Sequence, residues 1–372
     1  MSSLLFNSLE IRGYRAFRDL RIEKLGRVNL IVGQNNVGKS CLLEALQIYA
    51  HRAHPTFLWQ LLEAHDEDSR SPKPAFGSVD YDANQVLSII QNLFYGRPEM
   101  TGSVSPIEIG PTDSPAEKLR VSLGFYASSV NEKGLTTLQL LSPDEYDSIE
   151  EPLHPRFSVQ LGESRKAIYH LEVTSKPLKP EIQPINCIFV GSHGLDKGNI
   201  SALWDKIALT DLQKEVLQAL RILAPGVDDV GIIGDFGTKR ERFPIIKVPS
   251  MSKPIPIRSL GEGMLRMLAV VLGLVNAEDG LLLIDEFEHG LHYATQVELW
   301  QLIFRLARQL NIQVFATSHS WDCITSFQQA AQESEQEEGM LIRLELKKGE
   351  ASATLSDKQD LAVITREQIE VR

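Results

Sequence analysis

Cysteine is scarce: Cys41, Cys187 and Cys323 are the only three in 372 residues, lie far apart, and form no C-x-x-C pair. A disulfide-stapled framework is excluded, and a reducing cytoplasm is the expected compartment. The N-terminus has neither the charged start nor the apolar stretch of a signal peptide. The most apolar stretch, Met264 to Ile284, is broken by Asn276, Glu278 and Asp279. No run reaches the roughly 20 residues that cross a bilayer. Positive charge is in deficit, with 38 Lys and Arg against 49 Asp and Glu for a net −11, so any nucleic-acid contact needs a local basic surface. Sustained heptads and internal repeats are missing, which excludes a long coiled-coil arm. Neither a nucleophile elbow nor a nuclease carboxylate cluster is visible.

What the chain does have begins with "IVGQNNVGKS" at residues 31–40. Gly33 to Ser40 matches G-x-x-x-x-G-K-[ST], a loop whose N–H groups wrap phosphates while the lysine reaches the outer phosphates and the hydroxyl binds magnesium. Glycine at both ends lets the backbone approach closely. Val28 to Val32 reads as a buried strand and Cys41 to Leu46 as the first turns of a helix, so phosphates would meet a positive helix end. Gly33, Asn35, Asn36, Val37, Gly38, Lys39, Ser40 and Cys41 are therefore the candidate nucleotide-binding residues.

A second buried strand, Gly280 to Ile284, ends in Asp285-Glu286. Asp285 is placed to hold magnesium with Ser40, and Glu286, pointing the other way, to orient the attacking water. Glu288, His289 and His292 lack the H-E-x-x-H helix pattern and read as solvated or interface residues. A helix over about 293–309 leads to a third strand, Ile312 to Thr317, followed by Ser318-His319-Ser320. His319 emerges where an imidazole can contact a terminal phosphate, with Ser318 or Ser320 as a helix cap. Arg258 to Arg266 precede a helix expected over Met267 to Val275, a second anion-binding helix start with Ser259, Gly261 and Gly263. It is not a dinucleotide fingerprint, because Arg266 stands where the third glycine belongs. Two phosphate-facing helix starts serve one nucleotide most economically across a homodimer.

This ordered set resembles the ABC-type ATPases related to SMC proteins and RecF, and within them the OLD-like group that prokaryotes use in phage defence. "LEIRGYRAFRDLRIEKLGRVNLIVGQNNVGKSCLLEAL", "CIFVGSHGL", "RSLGEGMLRMLAVVLGL", "LLLIDEFEHGLH" and "FATSHSWDCI" carry the likeness. It implies an α/β P-loop NTPase of ABC-ATPase type, with a mixed or parallel central sheet, helices and an antiparallel β lateral subdomain. Lys39, Glu286 and His319 would act in catalysis, Ser259 to Gly263 would be the signature, and Gly290 to His292 the loop that crosses between subunits. Arg15 stands where the family often places a nucleotide-contacting arginine, a surface strand arginine being the other reading. Two departures are plain: the signature reads SLGEG, and no clear glutamine loop is present.

The expected organisation is an ATPase core over 1–60 and 185–372, with a strand-rich insertion over 61–184. Short strands are read at Leu119–Tyr126, Leu135–Leu141 and Ala167–Val173, and helical text at Ser201–Leu223. The acidic run 332–338 reads as a solvated helix end or linker, and 340–372 as a hairpin and short helix. The resemblance implies ATP hydrolysis with magnesium. Fused relatives continue into a TOPRIM nuclease for which the chain has no room before Arg372. The expectation is a dimeric defence sensor controlling a separate effector nuclease. The alternative is a RecF-type DNA repair or maintenance ATPase, using Arg12, Arg15, Arg18 and Arg21 or Lys239, Arg240, Arg242 and Lys247 on DNA. A transporter subunit fits poorly, since no membrane-coupling surface is identifiable.

Overall fold

The computed structural model describes residues 4–65, 83–98, 104–130, 136–141, 145, 155–163, 165–170, 182–234, 242–334 and 339–371. Lys239, Arg240 and part of the acidic run at 335–338 lie outside the described residues. In chain order the elements begin β1 (Leu9–Tyr14), β2 (Phe17–Ile22), β3 (Val28–Val32), α1 (Lys39–Ala50), α2 (Pro55–Ala64), α3 (Ala83–Ile90) and β4 (Ile107–Gly110). Next come β5 (Leu119–Val130), β6 (Thr136–Leu140), β7 (Pro155–Leu161), β8 (Arg165–His170), β9 (Cys187–Val190), α4 (Lys197–Ile207) and α5 (Asp211–Leu223). Then follow β10 (Asp229–Gly234), β11 (Arg242–Lys247), β12 (Ile255–Pro256), α6 (Glu262–Asn276), β13 (Leu281–Ile284) and α7 (Tyr293–Gln309). The chain closes with β14 (Gln313–Thr317), α8 (Trp321–Glu333), β15 (Gly339–Lys347), β16 (Glu350–Ser356) and α9 (Lys358–Arg366).

The central sheet has six strands in the order β16-β15-β3-β14-β13-β9. All neighbours are parallel except the edge pair β15–β16. Strands β3, β13 and β14 are apolar and buried on both faces, as a helix-covered parallel sheet requires. Because β3, β14 and β13 are adjacent and parallel, the segments following them leave the sheet along one edge. That register brings Gly33, Asp285 and His319 to the same place.

One face of this sheet packs Leu30, Val32, Leu282, Ile284, Val314 and Ala316 against α4 to α8. The other packs Ile31, Leu281, Leu283 and Phe315 against α1 and a second sheet. Helix α1 lies between the two sheets and is buried from Leu42 to Ala50, so it is apolar nearly all round rather than along one stripe. The second sheet is antiparallel and seven-stranded, ordered β2-β1-β4-β5-β7-β8 with β6 on β5. Its hairpin β1–β2 comes from residues grouped with 1–60 in the sequence reading, while β4 to β8 come from 61–184. β4 pairs directly with β1, Ile11 opposite Ile109, so the strand-rich segment extends an existing sheet.

Three further differences from the sequence reading have local causes. The helical text at 201–223 is two helices, broken at Leu209, whose φ of 64° is left-handed. Helix α6 starts at Glu262, a turn and more before Met267, with Gly261 at φ 101° as its N-cap. The small sheet β10-β11-β12 is a new element, because its short strands carry no run long enough to separate from loop.

Candidate functional site

Buried strand β3 ends at Gly33, whose φ is 145° and whose added Cβ would fall 2.3 Å from the Leu344 carbonyl oxygen. The loop then runs through exposed Gln34, Asn35 and Asn36, buried Val37, and Gly38. Asn36 and Gly38 have positive φ, 64° and 102°. The turn is sharp enough to aim successive N–H groups into the start of α1. An alanine Cβ at Gly38 would meet the Phe17 ring at 2.8 Å, whereas one at Gly261, with a similar φ, would meet nothing within 4 Å. Gly38→Ala is therefore expected to lose about 2–3 kcal/mol and Gly261→Ala about 1 kcal/mol, from backbone strain with and without a clash. Urea unfolding of the two variants checks the difference.

The Lys39 ammonium folds over the loop and donates to the carbonyls of Gly33 at 2.7 Å and Gln34 at 2.9 Å. Burial lowers its pKa, and the carboxylates of Asp285, Glu288 and Glu286 pull the other way. Ser40 is exposed and Cys41 half-buried at the start of α1. Across the edge, Thr317 at the end of β14 donates its hydroxyl to Asp285 Oδ1 at 2.6 Å and accepts the N–H of Glu286 at 2.9 Å. Glu286 has a left-handed φ of 49°, and the next residue, Phe287, is buried and stacked on Trp300 with centroids 3.8 Å apart. The turn therefore fixes Asp285 inward and leaves the Glu286 side chain 42% exposed, free to reach a water.

These groups fit a nucleoside triphosphate with a divalent cation: a glycine cradle that a Cβ would fill, an ammonium, a hydroxyl and a carboxylate. Ser40 and Asp285 would hold the cation, which supplies charge neutralisation to the phosphates.

Other residues sit differently from expectation. Arg15 is only 10% exposed; its Nε lies 3.2 Å from Glu44 Oε2 on α1 and donates to the Tyr14 hydroxyl at 3.0 Å. The contacts shown are with Glu44 on the flank of α1 and with Tyr14, so it is not a surface strand arginine. Ser259 and Gly261 are exposed where α6 begins. An added Cβ at Gly263 would meet the Gly290 carbonyl oxygen at 2.6 Å, so the signature segment packs on the 290–292 loop of its own chain. His292 caps α7, its Nδ1 accepting the Ala294 N–H at 3.3 Å. Among the described residues no group of His, Cys, Asp and Glu is arranged to hold a metal ion by itself.

Glu288 is not a solvated residue. Its Oε1 accepts the His319 N–H at 3.1 Å, and its side chain is 14% exposed. Arg266 carries more than the sequence reading gave it. From the second turn of α6, 4% exposed, it donates to the carbonyls of Gly191, of Ser192 at 3.4 Å, of Asp285 at 2.7 Å and of Glu286 at 2.9 Å. Its pKa is lowered to about 10 by burial, against the pull of Asp285, Glu288 and Glu286. The available signal was an arginine interrupting an apolar helix, since such a charge is buried only with partners.

Among the described residues, four of the arginines considered for DNA, Arg12, Arg18, Arg21 and Arg242, are ion-paired. Arg12 pairs with Glu10 at 2.9 Å, Arg21 with Glu10 at 3.0 Å and Arg18 with Glu350 at 3.0 Å. Arg242 binds Asp205 through both terminal nitrogens, at 2.5 and 2.8 Å. No helix among the described residues is long and apolar enough to cross a membrane.

The architecture is an α/β fold, a mixed six-stranded sheet whose β3 leads into the glycine-rich loop, beside a seven-stranded antiparallel sheet. The chain is 24% identical to an ATP/GTP phosphatase of Helicobacter pylori over 357 residues, 89% of this chain and 90% of that protein. A shorter stretch of 99 residues is 31% identical to the DNA replication and repair protein RecF of Thioalkalivibrio sulfidiphilus, covering 27% of this chain and 24% of that one. Among solved structures, it is similar to an Smc head domain with an extended coiled coil bound to the C-terminal domain of ScpA, from Pyrococcus furiosus. The TM-score there is 0.46 at 10% identity, over 98% of this chain and 99% of that chain. The family described as "AAA domain, putative AbiEii toxin, Type IV TA system" matches residues 28–322, most of the sequence, and the chain belongs to that family of AAA-type ATPases.

Proposed function

We propose that the protein binds ATP with magnesium, hydrolyses it to ADP and phosphate, and works as an ATP-gated homodimer controlling a separate effector in prokaryotic anti-phage defence. One observation carries the hydrolytic reading: Thr317 ties Asp285 and Glu286 together beside the phosphate loop. In this reading the loop amides and Lys39 grip the phosphates, Ser40 and Asp285 hold the cation, and Glu286 takes the proton of the attacking water. His319 contacts the terminal phosphate.

The dimer follows from the exposed signature. Ser259 and Gly261 open to solvent at an unpaired helix start, so a second copy of the chain could present them to the nucleotide of the first. Similarity to an ATP/GTP phosphatase over most of the chain and the family's toxin description support an ATPase that drives a toxic output. The effector is proposed to be a TOPRIM-type or other nuclease on another chain. The neutralised arginines of β1 and β2 weigh against the RecF-type reading.

Glu286→Gln is the sharpest test. Turnover is expected to fall about 100–1,000-fold, the size of losing a well-placed general base. ATP affinity stays within a few-fold, and the ATP-bound dimer accumulates in sedimentation velocity runs. A Glu286→Gln protein that hydrolyses ATP at the parent rate removes the hydrolytic reading. Purified protein that cleaves DNA unaided removes the separate effector.

A further inference from the structure

Glu288 is an unusual residue to find half-enclosed at a phosphate-binding edge. One oxygen, Oε2, is fully buried and has no hydrogen-bond partner, and the carboxylate acts with Asp285 and Glu286 on the buried Arg266 guanidinium. Leaving a buried carboxylate oxygen unpartnered costs stability, and a glutamine or an apolar residue would fill the space more cheaply. The other oxygen shows what the charge is for. Oε1 accepts the backbone N–H of His319 at 3.1 Å and lies 3.3 Å from Nδ1 of the same residue. One carboxylate oxygen thus accepts the main-chain N–H of the histidine at the end of β14 and stands within ion-pair distance of its ring.

The strand register sets where that residue leaves the sheet. Thr317 pairs with Ile31, so His319 is two residues past the end of β14 just as Gly33 is two residues past Ile31 on the neighbouring strand. A carboxylate only accepts hydrogen bonds, so an oxygen 3.3 Å away favours a hydrogen on Nδ1 over a bare lone pair there. Free imidazole prefers its hydrogen on Nε2 and, attached by two rotatable bonds, turns readily when 56% exposed. Holding Nδ1–H inward reverses that preference and leaves Nε2 as the outward nitrogen.

We propose that Glu288 is a positioning residue for His319, selecting the Nδ1–H form and pointing Nε2 at the terminal phosphate. The inference rests on the proposed ATPase reading. It joins the two halves of the site, because Glu288 rides on the turn that carries Asp285 and Glu286 while His319 follows the strand beside the loop. Any shift of that turn on phosphate release turns the imidazole with it.

Long-range nitrogen–proton NMR of the full chain, recorded without nucleotide well above the ordinary imidazole range, reads the form directly. His319 is assigned by comparison with His319→Gln. The parent protein is expected to show His319 as Nδ1–H, and an Nε2–H ring there overturns the inference without any variant at Glu288. Glu288→Leu is expected to move His319 to Nε2–H and lower kcat about tenfold or more, with the ATP Kd within about twofold. Glu288→Gln, which keeps an acceptor, is expected to restore Nδ1–H and much of the rate. A Nδ1–H ring in Glu288→Leu assigns the effect to something else and also overturns the inference. A parent protein with no ATPase activity removes the proposed function, while the ring measurement still decides this one.

Discussion

Lys39→Ala is expected to weaken ATP binding about a hundredfold or more while changing the stability of the fold little. The two effects come from one fact: the ammonium is half-buried with carbonyl partners in the free protein, and burial lowers its pKa more than three nearby carboxylates raise it. A cation with a folded pKa below its unfolded one is a liability to the fold. The penalty is complete at neutral pH and disappears only as pH climbs past the ordinary lysine range. Alanine removes it together with the two hydrogen bonds to the Gly33 and Gln34 carbonyls, so the melting temperature should change little. The triphosphate, by contrast, loses charge-assisted hydrogen bonds worth about 3 kcal/mol, roughly a hundredfold or more in affinity. Calorimetric titration with Mg-ATP measures the affinity. Thermal unfolding gives a second reading, because ATP at 100 times its Kd should stabilise the parent by about 2.7 kcal/mol and the variant hardly at all. A variant that melts several degrees lower yet binds ATP like the parent would contradict the geometry.

Arg266→Leu is expected to be the most destabilising change near the site. Its guanidinium spans the ends of β9 and β13, and the four carbonyls it satisfies belong to Gly191, Ser192, Asp285 and Glu286. Leucine fills the volume but leaves carbonyls unpaired in a half-enclosed turn, a loss of about 3–5 kcal/mol. Arg266→Lys keeps the charge but not the planar fork, so it cannot bridge both strand ends. It should fold with a smaller loss and still show turnover reduced about tenfold or more, because Asp285 and Glu286 are no longer held by their own carbonyls. Chemical unfolding with ATPase rates separates the two. Arg266→Lys with full activity would make the arginine a packing residue alone.

The two substitutions mark different degrees of legibility. The loop that carries Lys39 could be read in the chain because everything that shapes it is covalently close: the strand before it, two glycines, and the helix after it. The strand end at Asp285 and Glu286 was legible for a similar reason, a four-residue apolar strand ending in acids. Arg266 and Glu288 were not. Arg266 read as a break in a glycine pattern, and Glu288 as a solvated neighbour of two histidines. Their partners lie 19 residues away or more, as with Arg266 and Asp285 or Glu288 and His319, and no local spacing encodes such a pairing. The ion pair of Arg15 with Glu44 was hidden for the same reason, since it forms only once α1 is packed against β1.

The amino-acid order alone therefore set the local pieces: which segments are helix or strand, where the phosphate loop turns, and which carboxylates and imidazole emerge from strand ends. Periodicity, glycine and capping act over a few residues and need no fold to be felt. Only the tertiary structure placed β14 between β3 and β13, joined the N-terminal hairpin to the strands of 107–170, and gave Arg266, Glu288 and Arg15 their partners. Strand order is decided by which apolar faces bury best against each other across long loops. That free energy belongs to the assembled core and to no single stretch of sequence.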